Sequence, residues 1–110
     1  MFKVIKDRKF THTVDVMVPV DGGYELQSFG CQFRVVPADQ AEEHNVATRE
    51  GTAGLLKLAI VGFSDDLVDE NEKPIPFNDA MRDALINDHP IRQGLITAYL
   101  EAITKARSGN

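Results

Sequence analysis

Asp21-Gly22-Gly23 stands between two runs of alternating apolar and polar residues, and that arrangement commits the first third of the chain to a β-hairpin. Glycine accepts the positive φ that a tight turn demands. Before the turn, Phe10 to Val18 places Val14, Val16 and Val18 on one face, with Thr13 and Asp15 opposite. Pro19 weakens the end of that run, as at an edge or boundary. After the turn, Tyr24 to Val36 places Phe29, Cys31, Phe33 and Val35 on one face. Leu26 falls in the opposite phase, which predicts a bulge near Ser28 or Gly30. Val4 and Ile5 are expected to add a short strand ahead of the hairpin.

Beyond Val36 the period changes. Pro37, then Asp39, Glu42 and Glu43 in the first turns, predict a helix from about Ala38 to Arg49. Gly51 and Gly54 punctuate it. Leu55 to Val61 is apolar nearly all round, so it is expected to be buried, and its length and leucine content favour a helix. Asp65 to Pro76 is expected to be extended surface chain around an acidic turn, Asp69 to Lys73, because Pro74 and Pro76 exclude helix interiors and central strands. Asn78 is an N-cap for a short helix over Asp79–Asn87, with Ala80, Met81, Ala84 and Leu85 on one side. Asp88 caps a last helix, from Pro90 to about Ala106. There Ile91, Leu95, Tyr99, Ala102 and Ala106 form one stripe, and Ile96, Leu100 and Ile103 form another beside it. Ser108 to Asn110 is a frayed tail. The expected fold is α+β, an N-terminal antiparallel hairpin or small sheet followed by three to four helices. Residues 1–110 are expected to form a single domain, with a hairpin region over 1–36 and a helical region over 37–107.

Composition narrows the function. Hydrophobic residues make up 43% of the 110, an ordinary level for a folded domain. The longest unbroken apolar run is Leu58–Val61, far short of a membrane span, and the first residues carry no apolar stretch of signal-peptide length. One cysteine builds neither an internal disulfide nor a thiolate metal site. A soluble protein of a reducing cytosol is the expectation. Residues 37–80 carry ten acidic and three basic groups, which disfavours nucleic acid.

Reactive chemistry is hard to find. His12 is expected to face water. His44 lacks a second histidine four residues away, so the two-His zinc spacing is missing. Asp88-His89 has no serine or cysteine in a nucleophile motif to serve. Counted from Asp65 as a calcium loop, the sixth residue is Glu70 and the twelfth Pro76, and both fail the pattern. No phosphate loop follows Gly22-Gly23 or Gly51–Gly54. Cys31 lies among Phe29 and Phe33 as a packed thiol. No metal, no cofactor and no enzymatic activity are expected. The two stripes of the last helix are wider than one neighbour covers. Such a helix is either a central core element or one that offers part of its surface to a partner.

The second half of the chain resembles the tail assembly chaperones of tailed phages and prophages. The residues that carry the likeness are Ala59-Ile60-Val61-Gly62-Phe63-Ser64, then Leu67-Val68-Asp69-Glu70-Asn71-Glu72-Lys73-Pro74-Ile75-Pro76-Phe77-Asn78, then Pro90 to Ala102 with its Ala98-Tyr99 step. The basic, phenylalanine-containing start and the strand ending Phe33-Arg34-Val35-Val36-Pro37 are similar too. Relatives often carry Trp where Phe63 stands and Gly where Glu72 stands; Asn71 is the expected substitute for the left-handed backbone position. The resemblance implies a non-catalytic protein that binds the long helical tape measure protein in the bacterial host cytoplasm, self-associates, and is absent from the finished virion. Candidate partner contacts are Phe63, Ile75, Phe77, Leu95, Tyr99 and Ile103, with core packing the competing role for each. The alternatives are a small structural tail component kept in the virion, such as a tail-tube or tail-completion protein, and a hydrolytic enzyme using His89 with Asp88.

Overall fold

The computed structural model describes residues 1–104. Strands β1 (Lys9–Val20) and β2 (Gly23–Arg34) form the hairpin, paired without a break from Lys9↔Arg34 to Val20↔Gly23. The turn is Asp21-Gly22, and Gly22 sits at φ 84°, where an L side chain is strained. Four helices and one short strand follow: α1 (Ala38–Ala41), α2 (Arg49–Ala59), β3 (Ile60–Phe63), α3 (Asp79–Ile86) and α4 (His89–Thr104). The sheet is antiparallel in the order β1-β2-β3. The α+β expectation holds: a hairpin extended to a three-stranded sheet, and helices after it.

One face of the hairpin is the floor of the core. Val14, Val16, Phe29, Cys31 and Phe33 are buried there, as period two requires. Leu55, Leu56 and Ala59 of α2 and Leu95, Ile96, Ala98 and Tyr99 of α4 close over it. The Tyr99 ring centroid lies 5.6 Å from that of Phe33 and 6.4 Å from that of Phe10. Its hydroxyl oxygen accepts the Val36 N–H at 3.0 Å, which ties the chain leaving β2 to the middle of α4.

Several expectations need correction. The hairpin has no bulge. Leu26 pairs with Met17 on the outer face and is simply exposed, and the one register shift lies between Gln32 and Phe33, on the β3 side. Val35 leaves the core face because β2 ends at Arg34. His12 shares its face with Val14, opposite Cys31, and is half-buried rather than open to water. Residues 1–8 pair with no strand; Val4 and Ile5 are exposed.

The first long helix starts eleven residues later than its acidic start suggests, since α1 is a single turn. A second cap outcompetes the first. Thr48 is extended and its hydroxyl accepts the Gly51 N–H at 2.9 Å. The glycines thus lie inside α2 instead of ending a helix. The apolar segment 55–61 divides at Ala59. Its second half pairs with the open edge of β2, where unpaired backbone groups and β-branched Ile60 and Val61 favour a strand.

The local caps are where the sequence places them. Asn78 Oδ1 accepts the Met81 N–H at 2.8 Å and Asp88 Oδ1 the Ile91 N–H at 3.2 Å. The buried residue of α3 is Ile86; Ala80 and Ala84 face outward. The predicted end of the last helix at Ala106, and the tail after it, lie outside the described residues.

Candidate functional site

The six residues expected to meet a partner separate into three groups. Leu95 and Tyr99 are 0% and 1% exposed, so both belong to the core and are closed to any partner of the folded chain. Phe63, at the end of β3, is half-buried and meets Phe77 edge-on, ring centroids 5.0 Å apart and planes at 74°. Phe77 keeps 38% of its surface exposed. Ile75, on the same loop, is half-buried, and its N–H donates to Leu67 O at 2.8 Å. Ile103 is exposed near the end of the described part of α4. Of the six, only Phe63 and Phe77 are in ring contact with each other; the Tyr99 ring meets Phe10 and Phe33 in the core.

The loop that carries Phe77 has defined geometry. Val68 bridges Pro74, and Asp69 Oδ1 accepts the N–H groups of Asn71 and Lys73 at 2.8 and 3.1 Å. Such an Asx turn fixes a short loop from within. The left-handed position is taken by Glu72, at φ 62°, and not by Asn71. Asp66 Oδ1 accepts the Gly30 N–H at 2.9 Å, so this acid is committed to anchoring the loop on β2.

A larger apolar surface lies where the candidate residues did not point. On the outer face of the hairpin Met17 pairs with Leu26, and Pro19 with Tyr24. Leu26 is 59% and Tyr24 71% exposed. Antiparallel sheets with one solvated face ordinarily place polar residues there. The signal was in the sequence: Leu26 breaks phase with Phe29, Cys31 and Phe33, which puts it outside. Beside this face lies a groove of about 440 Å³, lined by Met17, Tyr24 and Pro90 among others. Met1, Phe2, Val4 and Ile5 are also exposed, and the Arg8 guanidinium lies over the Phe2 ring at 5.1 Å.

Asp88 and His89 do not form a pair. Asp88 caps α4, while His89 Nδ1 accepts from Arg92 Nη2 at 3.1 Å. Among the described residues no three His, Cys, Asp or Glu side chains gather in a group that could hold a metal ion, and no helix is long and apolar enough to cross a membrane. At the base of the hairpin, Asp7 hydrogen-bonds Arg34 at 3.1 Å, and that bond with nearby Lys9 holds its carboxyl below the usual carboxylate range.

Cys31 is fully enclosed, its thiol donating to Gly62 O at 3.5 Å, and burial pushes its pKa up to about 12. The unfolded thiol ionises near pH ~8.5. Stability from this group is therefore complete below about pH 8.5 and falls as pH rises towards about 12. The expected loss is about 1–1.5 kcal/mol between pH ~8.5 and pH ~10. Urea unfolding at those two pH values checks it: Cys31→Ala should lose about 1–1.5 kcal/mol less than the parent over the interval. Equal losses would show that the thiol does not stay protonated in the fold.

Comparison with protein-family models, with curated proteins and with solved structures finds no match to this chain.

Proposed function

We propose that this chain is a non-catalytic binding protein of the tail-assembly-chaperone kind, covering an apolar stripe of a long helical client, the tape measure protein, while a phage tail is built. The observation that supports it most is the apolar ladder Met17–Leu26 and Pro19–Tyr24 on the outer face of the hairpin. A helical client that exposes apolar stripes would aggregate uncovered, and a small subunit buries such a stripe by laying an apolar face on it. The Phe63–Phe77 pair, with Ile75 on the same loop, is a second contact surface. The acidic stretch over 37–80 keeps the coated complex in solution. Self-association, action in the host cytoplasm and absence from the virion belong to the same proposal.

The test is capture of the full chain by a purified tape measure protein. Replacing Tyr24 and Leu26 together by serine should weaken binding by about tenfold or more, because a tyrosine desolvated in an interface is among the side chains that carry most of its energy and Leu26 adds apolar area beside it. Both side chains are exposed, so urea unfolding of the double variant should match the parent. An unchanged affinity in a folded double variant would remove the hairpin face from the proposal. Mass spectrometry of purified particles decides between chaperone and tail component: high copy number in the virion would make the chain a structural part.

A further inference from the structure

Arg92, in the first turn of α4, is 8% exposed and forms no ion pair among the described residues. A guanidinium keeps its charge in a protein, and a buried charge without a counter-charge is costly. Nη1 of Arg92 donates to Ile86 O at 3.0 Å, at the end of α3, and Nη2 donates to His89 Nδ1 at 3.1 Å. One acceptor is a carbonyl, and the other is a ring nitrogen that must be unprotonated to accept. Neither brings negative charge. Capping α3 occupies one N–H and His89 a second, out of the five that an arginine carries.

Arg92 lines a cleft of about 560 Å³ between α2 and α3. The other charged groups on its walls are Arg49, Glu50, Lys57 and Asp83. Arg49 pairs with Glu50 at 3.5 Å, and Asp83 with Arg82 at 2.9 Å, Arg82 also meeting Asp79 at 3.4 Å. Lys57 forms no ion pair among the described residues. The two cleft charges outside any ion pair are thus both positive, in a chain of net charge −5, and the Lys57 ammonium stands near enough to the Asp83 carboxylate to help hold its pKa down. The short side chains of Ala80 and Ala84 line the α3 side.

The geometry points to a binding site for a small oxyanion, a carboxylate or a phosphate, taken between the Arg92 guanidinium and the Lys57 ammonium. The planar fork of arginine matches two oxygens at once, and lysine adds a point charge at the rim. Asp83 is held by Arg82 and shares the wall, which favours a singly or doubly charged group over a polyanion.

Amide NMR titration of the full chain tests this, with sodium phosphate in one arm and a blocked glutamate tripeptide in the other. Sodium chloride at matched ionic strength is the control for screening. The expected result is saturating shifts at residues of the cleft in at least one arm, with Kd of about 1–10 mM. A response to phosphate alone identifies the free ion as the source, and a response to the peptide identifies a carboxylate of a polypeptide. Lys57→Gln, an exposed change, should weaken binding about threefold or more, and Arg92→Lys about tenfold, since it keeps the charge and loses the fork. If Arg92→Lys does not fold, Lys57→Gln decides. Non-saturating shifts in both arms, the same shifts with sodium chloride, or unchanged affinity in Lys57→Gln would overturn the site.

Discussion

Replacing Tyr99 by alanine is expected to lower stability by about 3–5 kcal/mol, the range for truncating a fully buried aromatic. A domain of this size has about 5–15 kcal/mol in all, so the variant should stand near the edge of folding. The cause has two parts that a second variant separates. Tyr99→Phe keeps the ring against Phe10 and Phe33 but leaves the buried Val36 N–H without its acceptor. An unsatisfied buried donor costs about 1–3 kcal/mol. Urea midpoints of the three proteins, at unchanged slope, measure both parts. A Tyr99→Phe variant as stable as the parent would mean that Val36 finds another partner and that the ring alone holds α4 to the hairpin. Such a core role leaves Tyr99 unable to contact a client unless the fold opens.

The second large effect carries a sign that local reasoning gets wrong. Gly94 lies in the interior of α4, where glycine costs about 1 kcal/mol relative to alanine. Helix propensity alone therefore predicts that Gly94→Ala stabilises. The helix, however, crosses β1 so closely that an added Cβ would stand 2.4 Å from Asp15 O and 3.2 Å from Val14 Cγ1. Asp15 belongs to the β1–β2 ladder opposite Ser28, whose hydroxyl donates to its carboxylate at 2.7 Å, so β1 yields little. Alpha-four must lift, and overpacking of that kind costs about 1–3 kcal/mol. The expected net result is destabilisation by about 1–2 kcal/mol, read from the urea midpoint. A more stable Gly94→Ala would show that α4 sits further from the sheet than described.

Residues whose structure depends on near neighbours were legible. The turn at Gly22, the caps at Asn78 and Asp88, and the valine face of β1 follow from chirality, capping hydrogen bonds and period two. Leu26 was legible in phase but not in meaning: an apolar residue out of step is a bulge or an outward-facing contact, and alternation is the same in both. Of the candidate contacts, Phe63 and Phe77 meet because β3 and the loop after it bring them to one place. Leu95 and Tyr99 carried the same helical signal as a partner-binding stripe, since a core face and an interface are written in the same residues. The cleft at Arg92 had no motif at all, because its members come from α2, α3 and α4 and no spacing along the chain relates them.

The sequence by itself determined that a hairpin comes first, where it turns, where the last two helices begin, and that the middle of the chain is acidic. Those properties rest on interactions within a few residues, whose energies do not wait for the rest of the fold. Only the tertiary structure decided that Ile60–Phe63 is a strand, that α4 spends Leu95 and Tyr99 on the core, and that the apolar residues left outside are those on the back of the hairpin. Each of these depends on which unpaired backbone edge or apolar face arrives alongside, and that is a competition between distant segments.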